Sequence, residues 1–122
     1  MSDKEKGAIL IVDDEVDACD FIKTFLEDRE YTVFTALNGR TGIDLIKNKK
    51  PAIVFLDVKM PDMSGIEVLL ELKKDGISAK IILMTGLEEG KEIDEARTLG
   101  IIDVLKKPVQ LPILSEIIKA NL

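Results

Sequence analysis

Residues 52–65 read AIVFLDVKMPDMSG, an apolar run that ends at a carboxylate and continues into a loop. The first five residues are apolar without interruption, a pattern typical of a strand that is buried on both faces. The run stops at Asp57, which places an ionisable carboxylate at the end of a buried strand. A loop follows in which Pro61 restricts the backbone and Gly65 permits a close turn into the next helix. The carboxylate therefore needs a chemical explanation.

Apolar runs of this kind alternate with helix-period runs along the whole chain. The predicted strands are AILIV (8–12), YTVFTA (31–36), AIVFL (52–56), IILMT (81–85) and IIDVLKK (101–107). The predicted helices are VDACDFIKTFLED (16–28), NGRTGIDLIKNKK (38–50), GIEVLLELKKDG (65–76), KEIDEARTLG (91–100) and LPILSEIIKANL (111–122). Five successive strand–helix units predict an α/β fold, (βα)5, with a parallel sheet, helices on both faces and right-handed crossovers. Because no linker interrupts the pattern, we expect one domain over residues 1–122.

The helical periodicity also predicts which side chains face the core. The first helix is predicted to place these residues on roughly one inward face: Val16, Cys19, Phe21, Ile22, Phe25 and Leu26. In the second helix the predicted inward residues are Ile43, Leu45 and Ile46. Gly76 is predicted as the C-cap of the third helix, and Pro112 suits the first turn of the last one.

Composition excludes several classes of protein. The net charge of −6 opposes binding to nucleic acid, and no apolar run reaches the roughly 18 residues of a membrane helix. The single cysteine, Cys19, excludes an internal disulfide and fits a reducing cytoplasm, where we read it as a small helix residue. The chain has no histidine, so it cannot itself be a phosphohistidine donor.

Polar residues end four of the five predicted strands. They are the acidic triplet Asp13-Asp14-Glu15, Asp57, the pair Thr85-Gly86 and the segment Lys106-Lys107-Pro108. Taken singly, each has an ordinary structural explanation: helix capping, a turn residue, a β-forming threonine and a solvated lysine. Taken together they indicate a site, because the carboxyl ends of the strands form the ligand-binding edge of an open α/β sheet.

The residue types at this edge suggest phosphoryl chemistry. Clustered carboxylates repel one another and favour a bound cation, and oxygen ligands without histidine or cysteine select Mg²⁺ or Mn²⁺. A carboxylate can also act as a nucleophile toward a phosphoryl group and form an acyl phosphate. A lysine and a hydroxyl group would bind the remaining phosphoryl oxygens.

Four motifs in order, ILIVDDE (9–15), FLDVKMPDMSG (55–65), IILMTG (81–86) and LKKPV (105–109), resemble the receiver domain of bacterial two-component response regulators, including the chemotaxis receivers. The resemblance covers residues 8–122, with a core of about 8–120. It implies a doubly wound, flavodoxin-like sheet with strand order 2-1-3-4-5.

The resemblance also implies a role for each matching residue. Asp57 matches the aspartate that accepts the phosphoryl group. Asp14, Asp57 and the backbone carbonyl of Lys59 match the Mg²⁺ ligands, and Asp13 matches the acidic residue that acts through water. Thr85 matches the switch hydroxyl and Lys107 the lysine that pairs with the phosphoryl oxygens. Lys107 precedes Pro108, and the peptide bond between them is cis in the family, which would aim the Lys107 side chain into the site. Gly86, next to Thr85, is implied as a supporting residue.

The implied function is that of a signalling phosphoacceptor and not of an enzyme with a separate substrate. The resemblance implies a histidine kinase or phosphotransfer protein as donor, with no direct nucleic-acid or membrane binding. Phosphorylation of Asp57 would change the face formed by the fourth helix, fifth strand and fifth helix. That face would then bind an output protein or a second copy of the chain.

Two positions depart from the usual family pattern. Val104 stands where the family often has Tyr or Phe, which excludes a switch by rotation of a large aromatic ring. Leu87, two residues after Thr85, cannot orient an attacking water, so we expect a longer-lived acyl phosphate. If Leu87→Glu or Leu87→Asn does not shorten the Mg²⁺-dependent lifetime, that expectation is wrong.

Three other functions are weaker interpretations of the same residues. An aspartate-nucleophile phosphohydrolase usually has an acid two residues after the nucleophile, where this chain has Lys59. A flavin-binding domain would need a phosphate loop after the first strand, where the acidic DDEVDA (13–18) would repel phosphate. A receiver-like module that no longer takes phosphate would not need Asp57, Thr85 and Lys107 together.

Overall fold

Five parallel strands form one sheet in the computed structural model, which describes residues 7–86 and 90–122. The strands are β1 (Ala8–Val12), β2 (Thr32–Ala36), β3 (Ile53–Asp57), β4 (Ile81–Thr85) and β5 (Asp103–Lys106). Their spatial order is β2-β1-β3-β4-β5, which confirms the fold class and the strand order implied by the resemblance. Because β1 and β3 are neighbours, the chain direction across the sheet reverses at β1, where ligand sites of such sheets lie.

Among the described residues, four helices connect successive strands and a fifth follows β5, and together they cover both faces of the sheet. They are α1 (Val16–Glu27), α2 (Gly39–Lys49), α3 (Gly65–Lys74), α4 (Lys91–Thr98) and α5 (Leu111–Asn121). No helix in the described ranges is long and apolar enough to cross a membrane.

The core consists of two layers, one on each face of the sheet. Alternate residues of the strands supply the layers: Ile9 and Ile11 face α1 and α5, whereas Leu10 and Val12 face α2, α3 and α4. All four are fully buried, and so are Ile53–Leu56 of β3. The continuous apolar runs therefore arise because both faces of these strands are covered.

The predicted inward face of α1 was wrong at two positions. Cys19, Ile22 and Leu26 are buried, but Val16 is 52% and Phe21 55% exposed. Phe21 follows Cys19 by two residues, which places it about 200° around the helix axis and so on the outer side. Cys19 is the small buried helix residue that the sequence indicated.

Smaller differences concern element ends and one side chain of α2. β3 extends one residue further than the sequence predicted, so Asp57 is its last residue and pairs with Met84 of β4. The C-cap of α3 is Asp75, and Gly76 follows it with a φ of 70°. Leu45 of α2 is only half-buried.

Candidate functional site

The carboxyl edge of the sheet gathers the acidic residues that follow or end β1 and β3. Asp13 comes directly after β1 and is 1% exposed, and Asp57 at the end of β3 is 6% exposed. Asp14 is exposed beside them, and each of the three offers a carboxylate oxygen within 4.8 Å of the others. Two strand ends that are far apart in sequence therefore deliver their carboxylates to one place.

Hydrogen bonds fix Asp13 at the centre of this cluster. Its backbone N–H donates to the Ala36 carbonyl at 3.0 Å, and its carbonyl accepts from the Cys19 thiol at 3.4 Å. Its Oδ1 atom accepts the backbone N–H of Glu15 at 3.0 Å. Glu15 is the N-cap residue of α1, and its side chain makes no capping hydrogen bond within the described residues. Helix capping is thus not the role of this glutamate.

Lys107 brings one positive charge into the acidic cluster. Its Nζ atom lies 2.9 Å from Asp13 Oδ2 and 3.2 Å from Asp57 Oδ2, and 3.6 Å from Oε1 of the exposed Glu15. The lysine side chain is 21% exposed, so part of it is withdrawn from water. Lys107 and not Lys106 is therefore the lysine whose ammonium group reaches these carboxylates, as the Lys-Pro motif implied.

The backbone around Lys107 connects it to the end of β4. The Lys107 N–H donates to the Thr85 carbonyl at 2.9 Å, and the Lys107–Pro108 peptide bond is cis, as the resemblance implied. Thr85 is the last residue of β4 and is 2% exposed. A cavity of about 450 Å³ opens beside these residues and is lined by Asp14, Glu15, Asp57, Val58, Lys59, Thr85, Gly86 and Lys107. The cavity therefore joins residues from all four strand ends named from the sequence.

The charges in this cavity alter one another's protonation. Burial raises the pKa of Asp57, and the nearby Asp13 carboxylate raises it further, while the Lys107 ammonium group opposes both effects. Burial alone would lower the pKa of Lys107, but hydrogen bonding and charge from Asp13 and Asp57 outweigh it and raise that pKa to about 12. Lys107 is therefore protonated at neutral pH, and the cluster still carries more negative than positive charge.

The donor atoms of the cluster fit a hard divalent cation. Asp13, Asp14 and Asp57 offer only carboxylate oxygens, and no histidine or thiol lies among them. Asp13 Oδ2 is buried and lies 2.9 Å from the Lys107 ammonium group. An oxygen-only set of carboxylates is what Mg²⁺ and its bound waters require.

The loop after β3 carries Lys59 along one wall of the cavity. Its two ends are held together, because the Gly65 N–H donates to the Val58 carbonyl at 2.8 Å. A Cβ atom on Gly65 would lie 2.6 Å from the Asp57 carbonyl oxygen. Gly65 is thus needed for close backbone approach, which explains the glycine at the end of the opening stretch.

Sequence reasoning missed three polar residues of this loop and of α3. Ser64 and Glu67 form a reciprocal capping box at the start of α3, with bonds of 3.1 and 3.2 Å. The Ser-x-x-Glu spacing was visible in the sequence and could have been recognised. Asp62 accepts hydrogen bonds from the start of α2, and its distance from that helix along the chain left no local signal.

The remaining residues named from the sequence lie around β5 or outside the described ranges. Val104 is half-buried and, with Pro108, lines a second cavity of about 390 Å³ at β5 and α5. No atom of the described residues lies within 4 Å of the place where a Cβ atom on Gly86 would be. Leu87, to which we assigned an effect on phosphoryl lifetime, lies outside the described residues, so that expectation stays a prediction.

Comparison with known proteins gives consistent relatives. The family model for the response regulator receiver domain matches residues 9–119. The sporulation initiation phosphotransferase F of Bacillus subtilis is 32% identical over 114 residues, which cover 93% of this chain and 92% of that protein. Other curated relatives that match are longer, and the chain spans only between 25% and 53% of their length.

Solved structures agree with the sequence relatives. A CheY-like receiver domain protein from Methanospirillum hungatei is 32% identical with a TM-score of 0.87, over 93% of this chain and 91% of that one. The receiver domain of Saccharomyces cerevisiae Ssk1, solved with the histidine phosphotransfer protein Ypd1, is 26% identical with a TM-score of 0.81, over 93% of this chain and 87% of that one. This chain therefore belongs to the response regulator receiver domains, the phospho-accepting domains of two-component signalling.

Proposed function

We propose that Asp57 accepts a phosphoryl group from a histidine kinase or phosphotransfer protein in a Mg²⁺-dependent reaction, and that residues 1–122 act as one receiver domain. The observation that carries the proposal is the convergence of the Asp13, Asp14 and Asp57 carboxylates within 4.8 Å, with Lys107 Nζ 3.2 Å from Asp57. Packing alone does not require this concentration of charge at the end of a buried sheet. The cytoplasmic location inferred from the single cysteine belongs to the same proposal.

The proposed metal ligands are Asp14, Asp57 and the backbone carbonyl of Lys59, with Asp13 acting through a metal-bound water. When bound, Mg²⁺, or Mn²⁺ in its place, neutralises phosphoryl oxygens during transfer. Asp57 supplies the nucleophile: a carboxylate oxygen forms a bond to phosphorus as the P–N bond of the donor phosphohistidine breaks. The product is an acyl phosphate on Asp57 and a free histidine on the donor.

Two further side chains would bind the new phosphoryl group. The Lys107 ammonium group, which now pairs with Asp57, is positioned to pair with a phosphoryl oxygen instead. The Thr85 hydroxyl, at the end of the neighbouring strand, would donate to another. Thr85 pairs with Lys106 of β5 in the sheet, and Lys107 directly follows β5. A movement of these two side chains toward the phosphoryl group would therefore alter the face formed by α4, β5 and α5.

This face is the proposed output surface, where an output protein or a second copy of the chain would bind. Val104 lies within it where many family members have an aromatic ring, so the change would travel through backbone shifts or partner contacts. The chain would promote only its own phosphorylation and the slow loss of the phosphate. The structure of Ssk1 with Ypd1 supports a phosphotransfer protein as one class of donor.

The test is phosphorylation of the purified chain by acetyl phosphate in Mg²⁺, followed by intact mass spectrometry. We expect wild type to gain the mass of one phosphoryl group, and a Mg²⁺-free sample and Asp57→Asn to gain none. Asp44→Asn is a matched control, because Asp44 is an exposed aspartate of α2 outside the cluster. If wild type forms no Mg²⁺-dependent adduct with acetyl phosphate or beryllofluoride, the proposal is wrong.

A further inference from the structure

Asp62 connects the loop after β3 to the first turn of α2. Its Oδ1 accepts the Gly39 N–H at 2.9 Å, and its Oδ2 accepts the Arg40 N–H at 3.0 Å. The Asn38 side chain accepts the next available N–H, that of Thr41, at 2.8 Å. Two segments therefore share the capping of α2, and Asp62 supplies its part from 22 residues further along the chain.

Charge reinforces this connection. The backbone N–H groups of Gly39 and Arg40 lower the pKa of Asp62, so its carboxylate is ionised at neutral pH. A negative charge at this position also complements the positive end of the α2 dipole. Asp62 therefore contributes a charged, two-oxygen contact where an ordinary turn residue would contribute none.

Side-chain packing holds the same loop against the same helix. Met63, the residue after Asp62, packs so closely on Gly39 that a Cβ atom there would collide with its side chain. The ends of the loop are fixed by the Gly65–Val58 backbone bond. Asp62 and Met63 thus tie down the part of the loop between these ends, only three residues after Lys59.

We propose that Asp62 is a positioning residue of the metal site: by capping α2 it fixes the loop 58–64 and with it the backbone carbonyl of Lys59. The inference rests on the proposed function, because the Lys59 carbonyl matters as a ligand only if this edge of the sheet binds Mg²⁺. Residues that orient metal ligands without touching the ion strongly affect metal affinity in other proteins.

The test compares Mg²⁺ affinity in wild type, Asp62→Ala, Asp62→Asn and Glu71→Ala by titration followed with amide NMR. Asp62→Ala should weaken Mg²⁺ binding about tenfold. Asp62→Asn loses the same charge and keeps only one of the two acceptor oxygens, so it should weaken Mg²⁺ binding by about threefold, less than Asp62→Ala. Glu71→Ala removes a nearby charge and an exposed ion pair that joins Arg40 of α2 to α3 and not to the loop 58–64, so it should leave Mg²⁺ affinity unchanged.

Hydrogen exchange in the metal-free protein gives a second readout that does not depend on Mg²⁺. We expect amides of residues 58–64 and of Gly39 and Arg40 to exchange faster in Asp62→Ala than in Glu71→Ala. If Asp62→Ala and Asp62→Asn bind Mg²⁺ equally well, the loss of affinity comes from the lost charge and not from the lost hydrogen bonds, and the positioning role is overturned. Unchanged exchange in Asp62→Ala would overturn it as well. Failure of wild type to bind Mg²⁺ would instead overturn the proposed function together with the metal part of this inference.

Discussion

Two sides of the molecule flank Asp57 and are held in place by different means. On the α2–α3 side, formed by residues 38–50 and 58–74, Asp62 ties the loop after β3 to α2. Arg40 of α2 makes a bidentate ion pair with Glu71 of α3, with nitrogen–oxygen distances of 2.7 and 3.0 Å. Polar contacts between elements therefore fix this side in addition to the apolar core.

The α4–β5–α5 side, formed by residues 90–122, differs in how its helices begin. The N-cap of α4 is Gly90, which has no side chain, and the Gln110 side chain makes no capping hydrogen bond at α5 within the described ranges. Ile102 and Ile113 are 43% and 44% exposed, whereas every residue of β3 is buried. Within the described residues, α4 and α5 begin without the side-chain caps that α2 and α3 have.

The contrast suggests that the two sides have different functions around the proposed phosphoacceptor, Asp57. Metal ligands need fixed geometry, and the proposed ligand Lys59 lies on the side with the polar ties. An output face must adopt two arrangements, and local rearrangement costs least where packing and hydrogen bonding are sparse. The four predictions below test this contrast.

Two glycines should differ most in the cost of substitution: Gly65 on the α2–α3 side, and Gly86 shortly before the α4–β5–α5 side. Gly65→Ala would push a Cβ atom to 2.6 Å from the Asp57 carbonyl oxygen, where only backbone could give way. We expect it to cost about 3 kcal/mol of unfolding free energy. A Cβ atom on Gly86 would have no atom of the described residues within 4 Å, so Gly86→Ala should change the free energy by less than about 0.5 kcal/mol. Urea denaturation measures both, and similar costs would contradict the contrast.

The next prediction concerns Lys107, the cation of the α4–β5–α5 side that pairs with Asp13 and Asp57. Lys107→Met leaves the buried Asp13 without its ion pair, so we expect a loss of about 2 kcal/mol in unfolding free energy. Mg²⁺ should recover much of this loss, because it replaces the missing positive charge. Lys119→Met is the matched control, an exposed lysine of α5. Thermal unfolding with and without Mg²⁺ is the measurement, and an equal response of the two variants would count against the pairing.

Asp57→Asn should act in the opposite direction and stabilise the protein. Folding raises the pKa of Asp57, so ionised Asp57 destabilises the folded state above that pKa and ceases to do so as pH falls through it. At neutral pH we expect a gain on the order of 1 kcal/mol, as is common when a functional carboxylate is neutralised. Urea unfolding at several pH values should show the gain shrinking toward acid pH. Asp44→Asn should show no such gain, and a gain that grows on acidification would refute the assignment.

The sequence was sufficient to predict the sheet and the residues at its edge for a physical reason. Strands such as Ile53–Asp57 are covered on both faces, so every residue must be apolar until the strand reaches the site. A polar residue at that point, such as Asp57 or Thr85, is therefore conspicuous in sequence. The parallel arrangement then brings the strand ends together whatever their separation along the chain.

Other features depended on information that local pattern does not contain. Whether Phe21 faces inward depends on where α1 lies on the sheet, and the periodicity of the sequence allowed a wider inward face than the structure has. The hydrogen bonds from Gly39 and Arg40 to Asp62 join segments that are adjacent only after folding. The contact between Asp62 and α2, which distinguishes the α2–α3 side, could therefore be recognised only from the structure.

The smallest expected effect lies on the α4–β5–α5 side. Val104 is half-buried beside a cavity of about 390 Å³, which has room for the phenyl ring of a phenylalanine at this position. We expect Val104→Phe to change the unfolding free energy by less than about 0.5 kcal/mol. Val68→Phe on α3 is the matched control, and because Val68 is fully buried it should cost about 2 kcal/mol through overpacking.

Amide NMR of Val104→Phe then shows how far the change spreads. Shifts should appear at Ile113 and along β5, while the loop 58–64, tied to α2 through Asp62, should keep its wild-type resonances. Shifts of equal size in that loop would mean that the two sides respond as one body. In that case the polar ties of the α2–α3 side would not isolate the proposed metal ligands from movements of the output face.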